Sequence, residues 1–238
     1  MPNILIWIPI ALGVFLVGVI LCALYVNFKF HQLAKDRYTQ ADRNKFVFRV
    51  AHALIPIIFR IKVNAKGLEH LEGSEKAVLF PNHQSLMDIP ILIQGVGRPH
   101  GYVAKKELDN IFIISQGMRL IRCEFMDRQD PRQSVRSISN AAKTVKEGHM
   151  MVIFPEGTRV VRGELGLFKA GSFKVAEKSG ADIFPVTIYN SPAVHKRWPR
   201  KTVVEFEIHP PLTPAVYKEM TTAQIAEQVE AAVKNPMK

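Results

Sequence analysis

The segment Asn82-His83-Gln84-Ser85-Leu86-Met87-Asp88 sets an imidazole and a carboxylate five residues apart. An imidazole exchanges a proton near neutral pH. A carboxylate on one ring nitrogen fixes the tautomer and leaves the other nitrogen free for that exchange. Positions five apart do not share a face of a regular helix, which turns about 100° per residue. His83 must therefore stand on a turn, with Asp88 in the first helical residues beyond it. Val78-Leu79-Phe80 reads as a buried strand, and Leu86, Met87, Ile89 and Ile91 read as a helix that Asn82 can cap. A strand-to-helix junction is where α/β proteins hold reacting groups. Taken alone, the pair is also what a capping turn with a surface histidine would look like.

A second apolar run, Met150 to Phe154, ends abruptly in Pro155-Glu156-Gly157-Thr158-Arg159. Gly157 opens backbone conformations closed to other residues. Glu156, Thr158 and Arg159 bring a carboxylate, a hydroxyl and a guanidinium together, and a guanidinium suits forked hydrogen bonding to phosphate.

Together the two segments resemble the glycerolipid acyltransferase family, whose signature is Asn-His-x4-Asp followed later in the chain by Phe-Pro-Glu-Gly-Thr-Arg. The nearest branch is that of the 1-acylglycerol-3-phosphate acyltransferases. Ala104-Lys105-Lys106-Glu107-Leu108, Phe125-Met126-Asp127-Arg128 and Ile183-Phe184-Pro185-Val186 match weaker family blocks. The resemblance implies acyl transfer from an acyl thioester, acyl-CoA or acyl-carrier protein, to the 2-hydroxyl of lysophosphatidic acid. It assigns His83 as general base and Asp88 as the group that orients it. Arg159 is then the first candidate for the acceptor phosphate, with Lys105 and Arg128 as supporting cations and Gly157 and Thr158 beside them. Glu156 would bind glycerol oxygens or hold Arg159. Backbone amides around the first motif or at Gly157 are the expected oxyanion donors. The thioester is a co-substrate, and neither a bound cofactor nor a metal is expected, since the histidines lack ligand spacing. Other acceptors (glycerol 3-phosphate, a lyso-ornithine lipid, another lysophospholipid) remain open. So do two different classes: a metal-dependent phosphoesterase and a non-catalytic membrane scaffold.

Ile4 to Val26 carries no charge, enough for one bilayer span at roughly 20 residues. A removable signal peptide is not expected, because no basic residue precedes the run and no small-residue cleavage site closes it. Basic residues begin at Lys29, which places the catalytic region on the cytoplasmic face, at the inner membrane if the source is bacterial. Phe46 to Phe59 is apolar but interrupted by Arg49, His52 and Pro56. It reads as an interfacial helix that forms a hairpin with the first, or else as a plain core helix. The expected division is a membrane-anchoring region over 1–59 and a catalytic domain over 60–238. The formal charge of +11 lies wholly beyond residue 28 and favours anionic lipid headgroups and coenzyme phosphates. No helix-turn-helix, zinc-finger or aromatic-platform pattern supports a nucleic-acid partner. Cys22 and Cys123, in the apolar helix and a strand over 120–125, read as reduced thiols.

The positioning elements alternate. Strands are predicted near 61–66, 77–81, 100–104, 121–126, 150–155, 183–190 and 202–208. Helices are predicted near 86–96, 110–119, 131–147, 171–179 and 221–234. This order specifies an α/β domain with a mixed, largely parallel sheet flanked by helices. The short links around 61–66 and before 202–208 resist a purely parallel one.

Overall fold

The computed structural model describes residues 4–160 and 165–234. Two helices come first, α1 (Ile4–Leu33) and α2 (Gln40–Phe59). There follow β1 (Ile61–Lys66), β2 (Ala77–Pro81), α3 (Asp88–Gly95), β3 (His100–Lys105), α4 (Phe112–Leu120), β4 (Glu124–Met126), α5 (Pro131–Lys146) and β5 (Met150–Val152). The chain closes with α6 (Lys174–Ser179), β6 (Asp182–Tyr189), α7 (Ala193–Arg197), β7 (Thr202–Ile208), α8 (Pro214–Tyr217) and α9 (Thr222–Lys234).

The strands form one sheet in the order β1-β7-β6-β2-β5-β3-β4. Only β6 and β7 pair antiparallel; β1 then lies parallel to β7 at the edge. β1 and β7 therefore run against the other five strands, which accounts for both short links. Alternate residues of each central strand enter opposite cores. Leu79, Val152 and Phe184 face one, together with Ile91 and Leu92 of α3. Val78, Met151 and Ile183 face the other, with Val145 of α5 and Val229 of α9. Burial on both faces is why these strands read as continuous apolar runs.

Several boundaries differ from the sequence reading. The strand expected from 121 begins only at Glu124. Arg122 takes φ 59°, and the carbonyls of Ile121 and Arg122 press so closely on Gly101 that a Cβ there would meet them at 2.8 and 2.9 Å. That crossing uses 121–123 as a turn. Cys123 consequently lies outside the strand, its Sγ 3.3 Å from the Tyr102 amide that donates to it. Burial pushes its thiol up to about 12, which favours the protonated form. In α5 the Asp130 carboxylate accepts from the amides of Arg132 and Gln133, with Pro131 in the first turn. Gly148, at φ 82°, follows the helix end.

α1 continues past the expected end at Val26 to Leu33. Its last two turns dock Val26, Phe30 and Leu33 on Leu120 and on Phe46, Val47 and Val50. From Trp7 to Tyr25 nearly every side chain is uncovered, and Trp7–Leu33 is long and apolar enough to cross a membrane. α2 is longer than the apolar patch suggested. A capping box starts it, Thr39 accepting from the Asp42 amide and Asp42 accepting from the Thr39 amide. Phe48, Ala51, Ile55 and Phe59 recur at helical spacing. Of these, Ala51, Ile55 and Phe59 pack on the core beneath α3, while Ile57 and Ile58 stay exposed.

Candidate active site

β2 ends at Pro81, and Asn82 turns sideways. Its Nδ2 donates to the Ile188 carbonyl at 3.1 Å and its Oδ1 accepts from the Ile188 amide at 2.7 Å. The side chain thus ties the turn to β6 and does not cap a helix. α3 starts two residues later than expected, at Asp88, and Met87 at its N-cap makes no side-chain bond. The Asp88 carboxylate instead gathers the turn before the helix: Oδ2 receives the amides of Gln84 and Ser85, each at 2.8 Å. The same oxygen lies 2.8 Å from His83 Nδ1. Backbone amides only donate, so Oδ2 is an acceptor and the His83 proton belongs on Nδ1. Nε2 is left as the accepting nitrogen, without a partner among the described residues. The Asp88 side chain is fully buried and that of His83 is 15% exposed. Asp88 Oδ1 is buried without a partner among the described residues.

The second motif grips the first. The Glu156 Oε1 accepts from the His83 amide at 2.6 Å, and the Val160 amide donates to the His83 carbonyl at 2.9 Å. Glu156 Oε2 accepts from the Gly166 amide at 3.1 Å. The Phe154 ring stacks on the imidazole, centroids 4.1 Å apart. Gly157, at φ 71°, makes the turn that brings Glu156 back over the histidine. Both Glu156 oxygens therefore accept from backbone amides, a task the sequence reading did not assign to this residue. Of the amides in and beside the two motifs, those of His83, Gln84, Ser85 and Gly157 bond protein acceptors.

Burial raises the Glu156 carboxyl to about 7 from its ordinary 4.5. The fold thus favours its protonated form. That contribution is complete below pH 4.5 and is lost as pH rises through about 7. Thermal unfolding in detergent should show the wild type losing stability across this window relative to Glu156→Gln, which cannot ionise. Parallel curves would contradict it. Glu156→Ala should cost roughly 1–3 kcal/mol, because two amides lose their acceptor.

The cations divide into two groups. Lys105 is exposed and pairs with Glu107 at 2.8 Å, and Thr158 and Arg159 are exposed beyond Gly157. Arg128 instead lines a cavity of ≈ 360 Å³ between α5 and α6, with Lys169, Lys174 and Lys178. Its walls are Val103, Met126, Ile138, Ile153 and Phe154. Phe154 therefore touches the imidazole and lines the cavity as well. The α6 lysines escape a sequence reading because a short helix with spaced lysines looks like any solvated face. Among the described residues no group of His, Cys, Asp or Glu has the arrangement of a metal site.

This arrangement offers a proton acceptor of defined tautomer beside an apolar, cation-lined cavity at the carboxyl edge of parallel strands, where α/β folds bind ligands. Residues 62–189 match the Acyltransferase family model, more than half of the chain. A chloroplastic 1-acyl-sn-glycerol-3-phosphate acyltransferase of Arabidopsis thaliana is 37% identical over 149 residues, covering 61% of this chain and 42% of that one. A 1-acyl-sn-glycerol-3-phosphate acyltransferase of Pseudomonas aeruginosa is 25% identical over 196 residues, covering 79% and 74%. The chain thus spans less than half of the Arabidopsis relative's length. The crystal structure of the 1-acyl-sn-glycerophosphate acyltransferase of Thermotoga maritima superposes with a TM-score of 0.68 at 26% identity, over 91% of this chain and 95% of that one. With both signature segments intact and joined through Glu156 and His83, the chain belongs to the acyltransferase family.

Proposed function

We propose that this protein transfers an acyl chain from an acyl thioester, acyl-CoA or acyl-carrier protein, to the 2-hydroxyl of lysophosphatidic acid, forming phosphatidic acid. The observation that carries the proposal is the His83–Asp88 contact, with Nδ1 engaged and Nε2 turned free in a turn clamped by the second motif. The hydroxyl oxygen attacks the thioester carbonyl as His83 Nε2 takes its proton. The fully buried Asp88 side chain stabilises the imidazolium that results. The tetrahedral intermediate collapses with cleavage of the carbon–sulfur bond, and the imidazolium returns the proton to the departing thiolate. No enzyme nucleophile is needed. A metal-bound His–Asp pair fits poorly, since Asp88 Oδ2 receives three protein donors, Oδ1 is buried, and no further His, Cys, Asp or Glu completes a ligand group among the described residues.

The cavity suits one substrate's apolar chain, and Arg128 and Lys169 in its lining meet an anionic group. Arg159, exposed and beside Gly157, meets the acceptor phosphate, with Lys105 in support. The basic surface and α1 keep the protein at the cytoplasmic face of a membrane, where the acceptor resides. Arg159→Ala should raise the KM for lysophosphatidic acid by a factor equivalent to roughly 1.5–3 kcal/mol, a lost charge-assisted bond, with a smaller change for Lys105→Ala. Acceptor saturation curves that match wild type would move the phosphate site to the Arg128 side. Comparing lysophosphatidic acid with glycerol 3-phosphate and other lysophospholipids tests the acceptor itself.

A further inference from the structure

Four consecutive apolar residues open α4 and its preceding turn, and all are exposed: Ile111 46%, Phe112 63%, Ile113 40% and Ile114 49%. An exposed run of this kind has no packing purpose in a water-surrounded domain and marks a contact surface. Its location identifies what covers it. The rest of α4 is fastened to the inner end of α1: Gly117 lies against the Phe30 ring, and the Gln116 side chain donates through Nε2 to Asn27 Oδ1 at 3.3 Å. Phe112 itself sits over His31, with ring centroids 6.3 Å apart. The run thus lies beside the last turns of α1, next to where the exposed apolar side chains of that helix, Leu24, Tyr25 and Phe28, end. It also leaves the sheet at the working edge. β2 and β3 both run parallel to β5, so His83 beyond β2 and Ile111 beyond β3 emerge on the same side. Leu86, within the His83–Asp88 turn, is 52% exposed there too.

We propose that Ile111–Ile114 is a second lipid-contacting element, which enters the leaflet that α1 enters and holds the His83 edge of the sheet against the membrane surface. This rests on the reading of α1 as a membrane helix. The cations that flank the run in sequence are paired, Lys105 with Glu107, Lys106 with Asp127 and Arg119 with Asp109. The contact is therefore apolar in origin and insensitive to salt, unlike attachment through a basic surface.

The test uses the full chain in phosphatidylcholine–phosphatidylglycerol vesicles carrying brominated acyl chains. Phe112→Trp is read in a Trp7→Phe, Trp198→Phe background, so that its indole is the sole tryptophan. Trp7 is read separately in Trp198→Phe. Quenching of the Phe112→Trp indole at low and high salt is the expected result. Trp7 quenched while that indole is not overturns the proposal and leaves the α1 reading intact. Quenching of neither overturns both. A blue-shifted emission from the Phe112→Trp protein that bromine does not quench means that protein covers the run, which also overturns it. As a second arm, Phe112→Ser with Ile113→Ser should raise the KM for vesicle-embedded acceptor roughly tenfold and leave a short-chain, water-soluble acceptor unchanged. Equal effects on both acceptors would reduce the residues to a structural part.

Discussion

His83→Ala is expected to lower acyl transfer by roughly 10²–10⁴-fold, the range for a lost general base. The loss should appear in kcat, with the fold retained at a modest cost in stability because the imidazole also stacks on Phe154 and meets the buried Asp88. The imidazole is partly exposed, and the bonds that hold this segment to its neighbours use backbone: the His83 amide on Glu156 and the His83 carbonyl on Val160. Alanine keeps both. Membrane attachment, which depends on other residues, should be unaffected. Purified His83→Ala with near-normal turnover and normal unfolding would show that another group takes the proton.

Asp88→Asn should be nearly as severe, but for a separable reason. The carboxylate has two tasks: it accepts the Gln84 and Ser85 amides that shape the turn, and it faces His83 Nδ1. An asparagine oxygen at the Oδ2 position keeps the turn. It removes the negative charge that stabilises the imidazolium, so a loss of roughly 10²–10⁴-fold is expected with a modest change in melting temperature. Asp88→Ala removes the acceptor as well and leaves two amides unsatisfied, adding roughly 1–3 kcal/mol of destabilisation. The informative comparison is between the two variants: similar activity losses with different stabilities. If the asparagine variant kept wild-type turnover, the charge on Asp88 would have no part in the reaction.

The chemistry of the site was more legible in the sequence than its scaffolding. A histidine and an aspartate five apart have few ways to meet, and helix geometry alone places one on the turn and one at the helix start; the 2.8 Å contact follows that logic. The strands β2 and β5 were legible because both faces are buried, which leaves an unbroken apolar run. The task of Glu156 was not legible, and a substrate or Arg159 partner was the natural expectation. Its bond to the His83 amide spans 73 residues, and it exists only because β2 and β5 lie side by side. No local pattern carries that neighbourhood. Asn82 failed for the same reason: an asparagine before a helix resembles a cap, and only the adjacent β6 offers it a better use at Ile188. The start of β4 was lost to the close approach of 121–123 and Gly101, a three-dimensional constraint. Arg128, one of the cations marked from the chain alone, does line the cavity; Lys174 and Lys178 join it through the packing of α6 on α5.

The most direct measurement follows the purified full-length protein, lysophosphatidic acid and an acyl thioester in a single turnover, quantifying free thiol, phosphatidic acid and any acyl group left on the protein. The expected result is thiol and phosphatidic acid in equal amounts, both dependent on the acceptor, with no acylated protein at any time. Thiol release or an acylated side chain in the absence of acceptor would contradict direct attack by the substrate hydroxyl under His83 base catalysis.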